Sequence, residues 1–172
     1  MKDKFTLRAL QEGYRARSAY KLISLNKKYN LIKRNDNVLD LGAWPGSWMQ
    51  ICLNLGANVA GVDTKQIQHI KNVRFILGNV FKKEIRDKIE SLGKFDVVLS
   101  DLSPKTSGNI SLDQYKSLEL SKIAFNIARK VLKRNGNFVC KIFQGPEFNE
   151  FLKELKQYFN FVKATKPEAS KK

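Results

Sequence analysis

Short apolar runs alternate along the chain with segments whose apolar residues recur at helical spacing. The runs are rich in valine, isoleucine, leucine and phenylalanine and predict buried strands, whereas the segments between them predict amphipathic helices. The predicted strands span 38–41, 58–62, 73–77, 95–100 and 138–143, with a sixth over 161–165, and the predicted helices span 13–30, 47–55, 82–91, 112–132 and 147–159. This order predicts an α/β fold with a mostly parallel sheet covered by helices on both faces.

The length of 172 residues indicates one domain, and no linker-like stretch divides it. We expect a basic N-terminal segment and helix over 1–30, a core over 36–165 and a polar tail over 166–172. No apolar run is long enough to span a membrane, and the N-terminus lacks the apolar stretch of a secretory signal. Cys52 and Cys140 fall in a predicted helix and strand, which indicates reduced thiols of a cytosolic protein and no metal site.

Charge is the strongest compositional signal. The chain has 32 lysines and arginines against 16 acidic residues, for a formal net charge of +16. A field of that sign attracts polyanions, so RNA is a candidate partner. A generic lysine-rich surface is the alternative, and membrane-surface binding is disfavoured because no basic amphipathic helix carries aromatic anchors.

A glycine-containing turn follows the first predicted strand. The sequence DLGAWPG (40–46) joins that strand to a helix, an arrangement that brings backbone N–H groups and a helix N-terminus towards a ligand. Gly42 and Gly46 permit a sharp turn and a close approach of a cofactor. The spacing differs from the dinucleotide-binding pattern and is closer to an S-adenosylmethionine (SAM) loop. The alternative is an ordinary strand-to-helix turn.

Polar residues end the next two strands. Asp63 lies 23 residues after Asp40, 63 − 40 = 23, where a carboxylate could accept hydrogen bonds from ribose hydroxyls of an adenosine cofactor. Its alternative role is a helix N-cap. Asn79 could accept a hydrogen bond from an adenine amino group, or it could simply form a Gly-Asn turn.

A lysine interrupts the apolar run FVCKIF (138–143). Burying Lys141 is costly unless the ammonium is paired or functional. Asp101 ends the neighbouring predicted strand, so the two form either a structural ion pair or part of a catalytic site.

Four blocks of the sequence resemble the FtsJ/RrmJ-type (RlmE-like) SAM-dependent 2′-O-ribose RNA methyltransferases, in the same order and relative spacing. The blocks are RSAYKL (17–22), DLGAWPGSW (40–48), FDVVLSDLSP (95–104) and FVCKIFQG (138–145). The resemblance extends from about residue 15 to residue 167 and implies a class I SAM-dependent methyltransferase (Rossmann-like) fold with SAM as the cofactor.

The resemblance also implies roles for individual residues. Lys141 would orient the ribose hydroxyl or take its proton, Lys21 would lower the pKa of Lys141, and Asp101 would orient Lys141. The basic N-terminal helix and the loop over 103–110 would hold RNA phosphates. The implied catalytic residues are Lys21, Asp101 and Lys141. The implied cofactor-binding residues are Gly46, Trp48, Asp63, Asn79 and Asp101.

The chain departs from the family pattern in several places. Trp44 and Ser47 stand where the family has small residues, and Trp44 could crowd the cofactor or turn away from it. Asn79 replaces an aspartate. The glutamate that completes the family's catalytic set lies in a final antiparallel strand that is missing here, and Glu168 comes too early to replace it. That absence would leave the fifth strand with an open edge.

We therefore expect a monomeric cytoplasmic enzyme that methylates RNA, most specifically a uridine of large-subunit ribosomal RNA. A tRNA anticodon-loop methyltransferase of the same family is one alternative. A basic RNA-binding module with weakened catalysis is the other, favoured by Trp44 and the missing glutamate.

Overall fold

The computed structural model describes residues 4–167, which form a single five-stranded sheet flanked by helices. The strands are β1 (Asn37–Leu41), β2 (Asn58–Asp63), β3 (Val73–Leu77), β4 (Phe95–Ser100) and β5 (Leu132–Cys140). The helices are α1 (Lys4–Gln11), α2 (Ala19–Tyr29), α3 (Ser47–Asn54), α4 (Lys83–Ser91), α5 (Ile110–Val131) and α6 (Phe148–Lys156).

The sheet is parallel throughout, with the strand order β3-β2-β1-β4-β5. The chain moves outwards on one side of β1 through β2 and β3, and then returns to place β4 on the other side. Ligands of open α/β sheets bind at such a reversal, beyond the carboxyl ends of the strands. The register aligns Leu41 with both Val62 and Ser100, and Ser100 with Cys140, so the residues that follow these strands share one edge.

The core lies on both faces of the sheet, as predicted. Val38 packs with α2 and α3 on one face, whereas Leu39 and Leu41 pack with α4 and α5 on the other. All three side chains are fully buried. The uninterrupted apolar runs in β1 and β4 arise because both faces of a central parallel strand are covered.

The N-terminal helix differs from its prediction over 13–30. Residues around Gly13 (φ +77°) form turns, and α2 begins only at Ala19. The separate helix α1 was not predicted, and it docks on α2 through Tyr20, whose hydroxyl donates to the Glu12 carboxylate at 2.9 Å and whose ring lies 4.8 Å from the Arg8 guanidinium. These are contacts between elements, which periodicity within one segment does not reveal.

The fifth strand also differs from its prediction over 138–143. It begins at Leu132 and ends at Cys140, so Lys141 is the first residue beyond the strand rather than a residue within it. The pairing of β5 with β4 is irregular at its start, where Phe95 lies opposite Leu132 and Val97 lies opposite Asn137. Beyond its pairing with β4, β5 has no strand neighbour in the part of the chain that the structure describes.

The predicted sixth strand over 161–165 is wrong, because this segment has no regular secondary structure. Val162 packs against the aromatic cluster beside β5, but Phe161 is 68% exposed. Two apolar residues followed by lysine and threonine give no buried face that would align the segment with β5. Glu168 and the rest of the predicted tail over 168–172 lie outside the described residues.

The two cysteines lie in the helix and the strand in which they were predicted. Cys52 is buried in α3 and Cys140 is partly buried at the end of β5, and both are free thiols. Burial raises the pKa of Cys140 to about 12, so its thiol stays protonated and unreactive at neutral pH. No helix between residues 4 and 167 is long and apolar enough to cross a bilayer.

The loop between β4 and α5 is held by Asp113. Its carboxylate accepts hydrogen bonds from the Ser107 N–H at 2.9 and 3.1 Å and from the Ser107 hydroxyl at 2.8 Å. These bonds, chiefly the one from the Ser107 backbone, hold the pKa of Asp113 below its ordinary value. A carboxyl with a lowered folded-state pKa stabilises the native state above its unfolded-state pKa, and this stabilisation is lost as the pH falls through the folded-state pKa.

We expect Asp113→Asn to lower the free energy of unfolding at pH 7, and the difference from wild type to shrink as the pH falls below the ordinary aspartate pKa of about 3.9 and then through the lowered folded-state pKa of Asp113. Urea unfolding at pH 7 and pH 3 measures both effects. Asp87→Asn is the control, because the Asp87 carboxylate is exposed and forms a surface ion pair with Lys83 at 2.7 Å. An effect of Asp113→Asn no larger than that of Asp87→Asn would contradict the role assigned to the buried carboxylate.

Candidate active site

Three side chains predicted to be catalytic meet at the carboxyl edge of the sheet. The Lys21 Nζ and Lys141 Nζ atoms lie 3.8 and 3.7 Å from the same oxygen, Oδ1 of Asp101. The structure thus brings together residues 80 and 40 positions apart in the chain, since 101 − 21 = 80 and 141 − 101 = 40. Their catalytic roles remain predictions.

Backbone hydrogen bonds place two of these side chains at the edge. The Asp101 N–H donates to the Leu41 carbonyl at 3.1 Å, and the Lys141 N–H donates to the Ser100 carbonyl at 2.9 Å. The pattern of each parallel strand pair therefore continues one residue beyond the strand, so both side chains leave the sheet at the same level.

The site contains two ammonium groups and one carboxylate in partly buried surroundings. The side chains of Lys21, Asp101 and Lys141 are 18%, 21% and 30% exposed. Burial lowers the pKa of Lys141; the positive charge of Lys21 adds to this lowering, and Asp101 opposes it. A larger fraction of Lys141 is therefore neutral near physiological pH than for an exposed lysine, which is what a proton acceptor requires.

The glycines of the 42–46 turn are required because neighbouring protein atoms leave no room for a side chain. Gly42 and Gly46 have φ of +79° and +108°. A Cβ at Gly42 would lie 3.0 Å from the Leu102 N, and one at Gly46 would lie 3.0 Å from both the Arg15 guanidinium and Ile70. Protein atoms, not free space for a ligand, therefore fill the positions of the missing side chains. Gly46 is itself buried, so its contribution to a bound cofactor would be to shape the loop.

Arg15 was predicted only as part of a basic helix, but it fastens two loops together. Its guanidinium donates to the Pro45 carbonyl at 3.1 Å, the Gln68 carbonyl at 2.9 Å and the His69 carbonyl at 3.2 Å. The first belongs to the glycine turn and the other two belong to the connection between β2 and β3. Five rigid donors on one planar group suit this role, which lysine cannot reproduce.

The two tryptophans of the turn occupy different environments. Trp48 is buried, and its indole N–H donates to the Ser18 carbonyl at 2.8 Å. Its side chain therefore packs in the core, and any contact with a cofactor would come from its backbone. Trp44 is 50% exposed, with the Lys65 ammonium 4.3 Å from the ring centre, which favours the alternative in which the indole turns away from the cofactor.

Asp63 ends β2 and connects it to the glycine turn. Its carboxylate accepts hydrogen bonds from the Trp44 N–H and the Lys65 N–H, both at 2.9 Å. The helix N-cap alternative is wrong, since the next element after Asp63 is β3. The Oδ1 atom also accepts from the Thr64 hydroxyl at 3.5 Å, whereas Oδ2 accepts only from the Trp44 N–H within the described residues and retains a lone pair for a ribose hydroxyl.

Asn79 forms the turn that was the alternative for this position. Its Oδ1 accepts from the Phe81 N–H at 2.9 Å. The side chain is exposed, and the second lone pair on Oδ1 remains free to accept from an adenine amino group. The turn and the predicted cofactor contact are therefore compatible.

No functional role was predicted for Asp40 from the sequence. Its side chain is 1% exposed, and neither carboxylate oxygen has a hydrogen-bond partner within the described structure. Burial, followed by the negative charges of Asp101 and Asp63, raises the pKa of Asp40 well above its ordinary value. A charged residue within the apolar run VLDL was the available signal, and it is the same signal that identified Lys141.

The residues at this edge fit SAM. Asp63 offers a free lone pair on Oδ2 for a ribose hydroxyl, Asn79 offers one for adenine, and the Asp101 carboxylate lies along the same sheet edge. The exposed position of Trp44 leaves the turn accessible. Between residues 4 and 167, no group of histidine, cysteine and acidic residues has an arrangement that could hold a metal ion.

A parallel sheet with a SAM-type turn after β1 and acidic residues at the carboxyl ends of β2 and β4 is typical of the class I methyltransferases. The model of the FtsJ-like methyltransferase family matches residues 14–172. The chain belongs to this family, as the resemblance in the sequence predicted, and it is a SAM-dependent methyltransferase.

Individual relatives agree with the family match. The chain is 46% identical over 171 residues to ribosomal RNA large subunit methyltransferase E of Archaeoglobus fulgidus, covering 99% of this chain and 90% of that protein. It is 42% identical over 174 residues to the protein of the same name from Methanothrix thermoacetophila, covering 99% and 68%. A crystal structure described as a ribosomal RNA methyltransferase of Plasmodium falciparum has a TM-score of 0.84 at 33% identity, covering 91% and 93%.

We expect Arg15→Lys to raise the Kd for SAM about tenfold, equivalent to about 1.4 kcal/mol, because a single ammonium cannot hold three carbonyls from two loops. Isothermal titration calorimetry measures the change. Arg134→Lys is the control, since Arg134 is exposed near the opposite end of the sheet. Equal affinities in the two variants would show that Arg15 does not shape the cofactor site.

We expect Trp48→Phe to lower the free energy of unfolding by about 1–3 kcal/mol while leaving the Kd for SAM unchanged, because the lost N–H leaves a carbonyl without its donor. Trp44→Phe, which alters an exposed ring, is the matched control. A stable Trp48→Phe protein with weakened SAM binding would instead place the indole against the cofactor.

Proposed function

We propose that this enzyme methylates the 2′-hydroxyl of a ribose in RNA, and that the RNA is the large-subunit ribosomal RNA, with a uridine as the target. The observation that carries the proposal is the placement of two lysine amines around one carboxylate oxygen, at the sheet edge where SAM binds in this class of fold. The names of the relatives support ribosomal RNA as the substrate.

The chemistry needs little more than positioning. Bound SAM supplies a methyl group on a sulfonium, which is already electrophilic. The ribose oxygen must be held in line and must lose its proton as it attacks. Lys141 suits both tasks because its lowered pKa gives it a neutral fraction, and its protonated form stabilises negative charge on the oxygen.

The other two residues set the state of Lys141. Asp101 lies 3.7 Å from its Nζ and orients it. Lys21, 3.8 Å from the same carboxylate oxygen, opposes the protonation of Lys141 through its own positive charge. The proton taken from the ribose would leave through the exposed 30% of the Lys141 side chain.

RNA would bind through exposed basic residues. Lys105 lies exposed on the loop after β4, at the carboxyl edge of the sheet, and Lys27 and Lys28 lie exposed in the last turn of α2, farther from the mouth than Lys21. Arg15 is different, because its guanidinium is already bound to three backbone carbonyls. Contributions from lysines of this kind are electrostatic and would weaken steeply with added salt.

The remaining parts of the proposal concern organisation. We propose that residues 1–172 form one domain that acts as a monomer in the cytoplasm, where ribosomal RNA of this class would be met. A tRNA substrate is the second enzymatic candidate. The arrangement of Lys21, Asp101 and Lys141 favours catalysis over a non-catalytic RNA-binding module.

We expect Lys141→Ala to reduce methyl transfer by at least about 100-fold while SAM binding persists, because the residue acts on the ribose and not on the cofactor. Transfer of labelled methyl to ribosomal RNA, isolated large subunits and tRNA is measured beside SAM calorimetry. In wild type, the rate should rise with pH until it passes the lowered pKa of Lys141.

Lys163→Ala, at an exposed lysine in the C-terminal segment, is the control. Loss of SAM binding together with transfer in Lys141→Ala would mean that the residue is structural. Methylation of tRNA but not ribosomal RNA by wild type would favour the second candidate, and SAM binding without transfer to any RNA would favour the non-catalytic module.

A further inference from the structure

Helix α5 places three polar side chains against the segment that follows β5. Gln114, Ser117 and Ser121 are three and four positions apart, so they lie on one face of the helix. Both serines are 1% exposed. The next buried residues along α5 are apolar: Ala124, Phe125, Ile127, Ala128 and Val131.

These side chains bind the backbone of residues 141–144. The Ser121 hydroxyl lies 2.9 Å from the Lys141 carbonyl and 2.8 Å from the Ser117 carbonyl, so its single proton is shared between them. The Phe143 N–H donates to the Ser117 Oγ at 2.8 Å, and the Gln114 side-chain amide donates to the Gln144 carbonyl at 2.6 Å. Three successive contacts therefore fasten this segment to the helix.

The segment needs such contacts because of its position in the sheet. Its Lys141 N–H donates to the Ser100 carbonyl, which continues the pairing with β4 by one residue. On the other side of β5, no strand lies alongside within residues 4–167. The partly buried backbone beyond Cys140 therefore takes its remaining hydrogen bonds from α5.

We propose that Ser117 and Ser121 are positioning residues that fix the backbone of Lys141 and thereby hold its amine against Asp101. The inference rests on the proposed catalytic role of Lys141. Apolar side chains are expected on the core-facing side of α5. Buried serine hydroxyls replace them at Ser117 and Ser121, where α5 faces the segment that contains Lys141. A displacement of about 1 Å in a reacting group can reduce a rate on the order of 100-fold.

The test combines kinetics with a readout that does not depend on activity. We expect Ser117→Ala and Ser121→Ala each to lower kcat by about 10- to 100-fold at saturating SAM and RNA, with the Kd for SAM unchanged. Ser121→Thr, which keeps the hydroxyl, should retain most of the activity. Ser91→Ala is the control, because its exposed hydroxyl donates to the Lys88 carbonyl at 2.7 Å at the end of α4, beside the start of β4 and away from the carboxyl edge.

The second readout is the titration of the Lys141 side chain by NMR in the SAM-free protein, assigned with Lys141→Arg. The charged groups that face Lys141 are Lys21 from α2 and Asp101 after β4. If the Lys141 amine moves relative to these two charges in a serine variant, it should titrate at a different pH than in wild type. Amide exchange at Phe143 should also accelerate in Ser117→Ala.

The outcomes separate the two proposals. Variants with a lowered melting temperature but wild-type kcat and Lys141 titration would overturn the positioning role and leave the serines as purely structural. Wild type that binds SAM but methylates no RNA would overturn the proposed function, while the NMR titration would still decide whether the serines hold Lys141 in place.

Discussion

The proposed active site depends on the sharing of one carboxylate oxygen by two ammonium groups. Asp101 Oδ1 has no hydrogen-bond partner among the described residues. The Lys141 and Lys21 Nζ atoms lie 3.7 and 3.8 Å from it. Partial burial weakens solvation of all three charges, so the group is stable only if the elements that carry them are fixed. The parallel register of β4 and β5 fixes two of the members, and the docking of α2 fixes the third.

The docking of α2 is tied to the cofactor turn. The Ser18 carbonyl, just before α2, accepts from Trp48 in α3, and the Ser18 hydroxyl lies 2.8 Å from the Ser47 hydroxyl. Arg15 holds the same turn from the preceding residues. A change in the turn would therefore alter the position of Lys21. The SAM-binding turn and the charges around Lys141 are connected in this way.

Much of this arrangement could be predicted from the sequence, because it follows from strands and their ends. The alternating apolar runs predicted the parallel sheet, and the shared edge of parallel strands predicted the meeting of Asp101 and Lys141. Features that depend on contacts between elements could not be predicted from the sequence. The three carbonyls bound by Arg15 and the serines of α5 have no periodic signal, and α1 is an amphipathic segment of only 8 residues. The sixth strand failed because extended propensity does not supply a pairing partner.

The open side of β5 has a consequence for how the molecule behaves among its own copies. Arg134 is exposed on this strand, the Lys133 ammonium is paired with the Asp96 carboxylate of β4 at 2.9 Å, and the whole chain carries a formal charge of +16. Like charge therefore discourages two such edges from joining. Repulsion of that kind fades once the Debye length falls to about 3 Å near 1 M salt, so concentrated electrolyte would remove the barrier to edge-to-edge association that dilute buffer maintains.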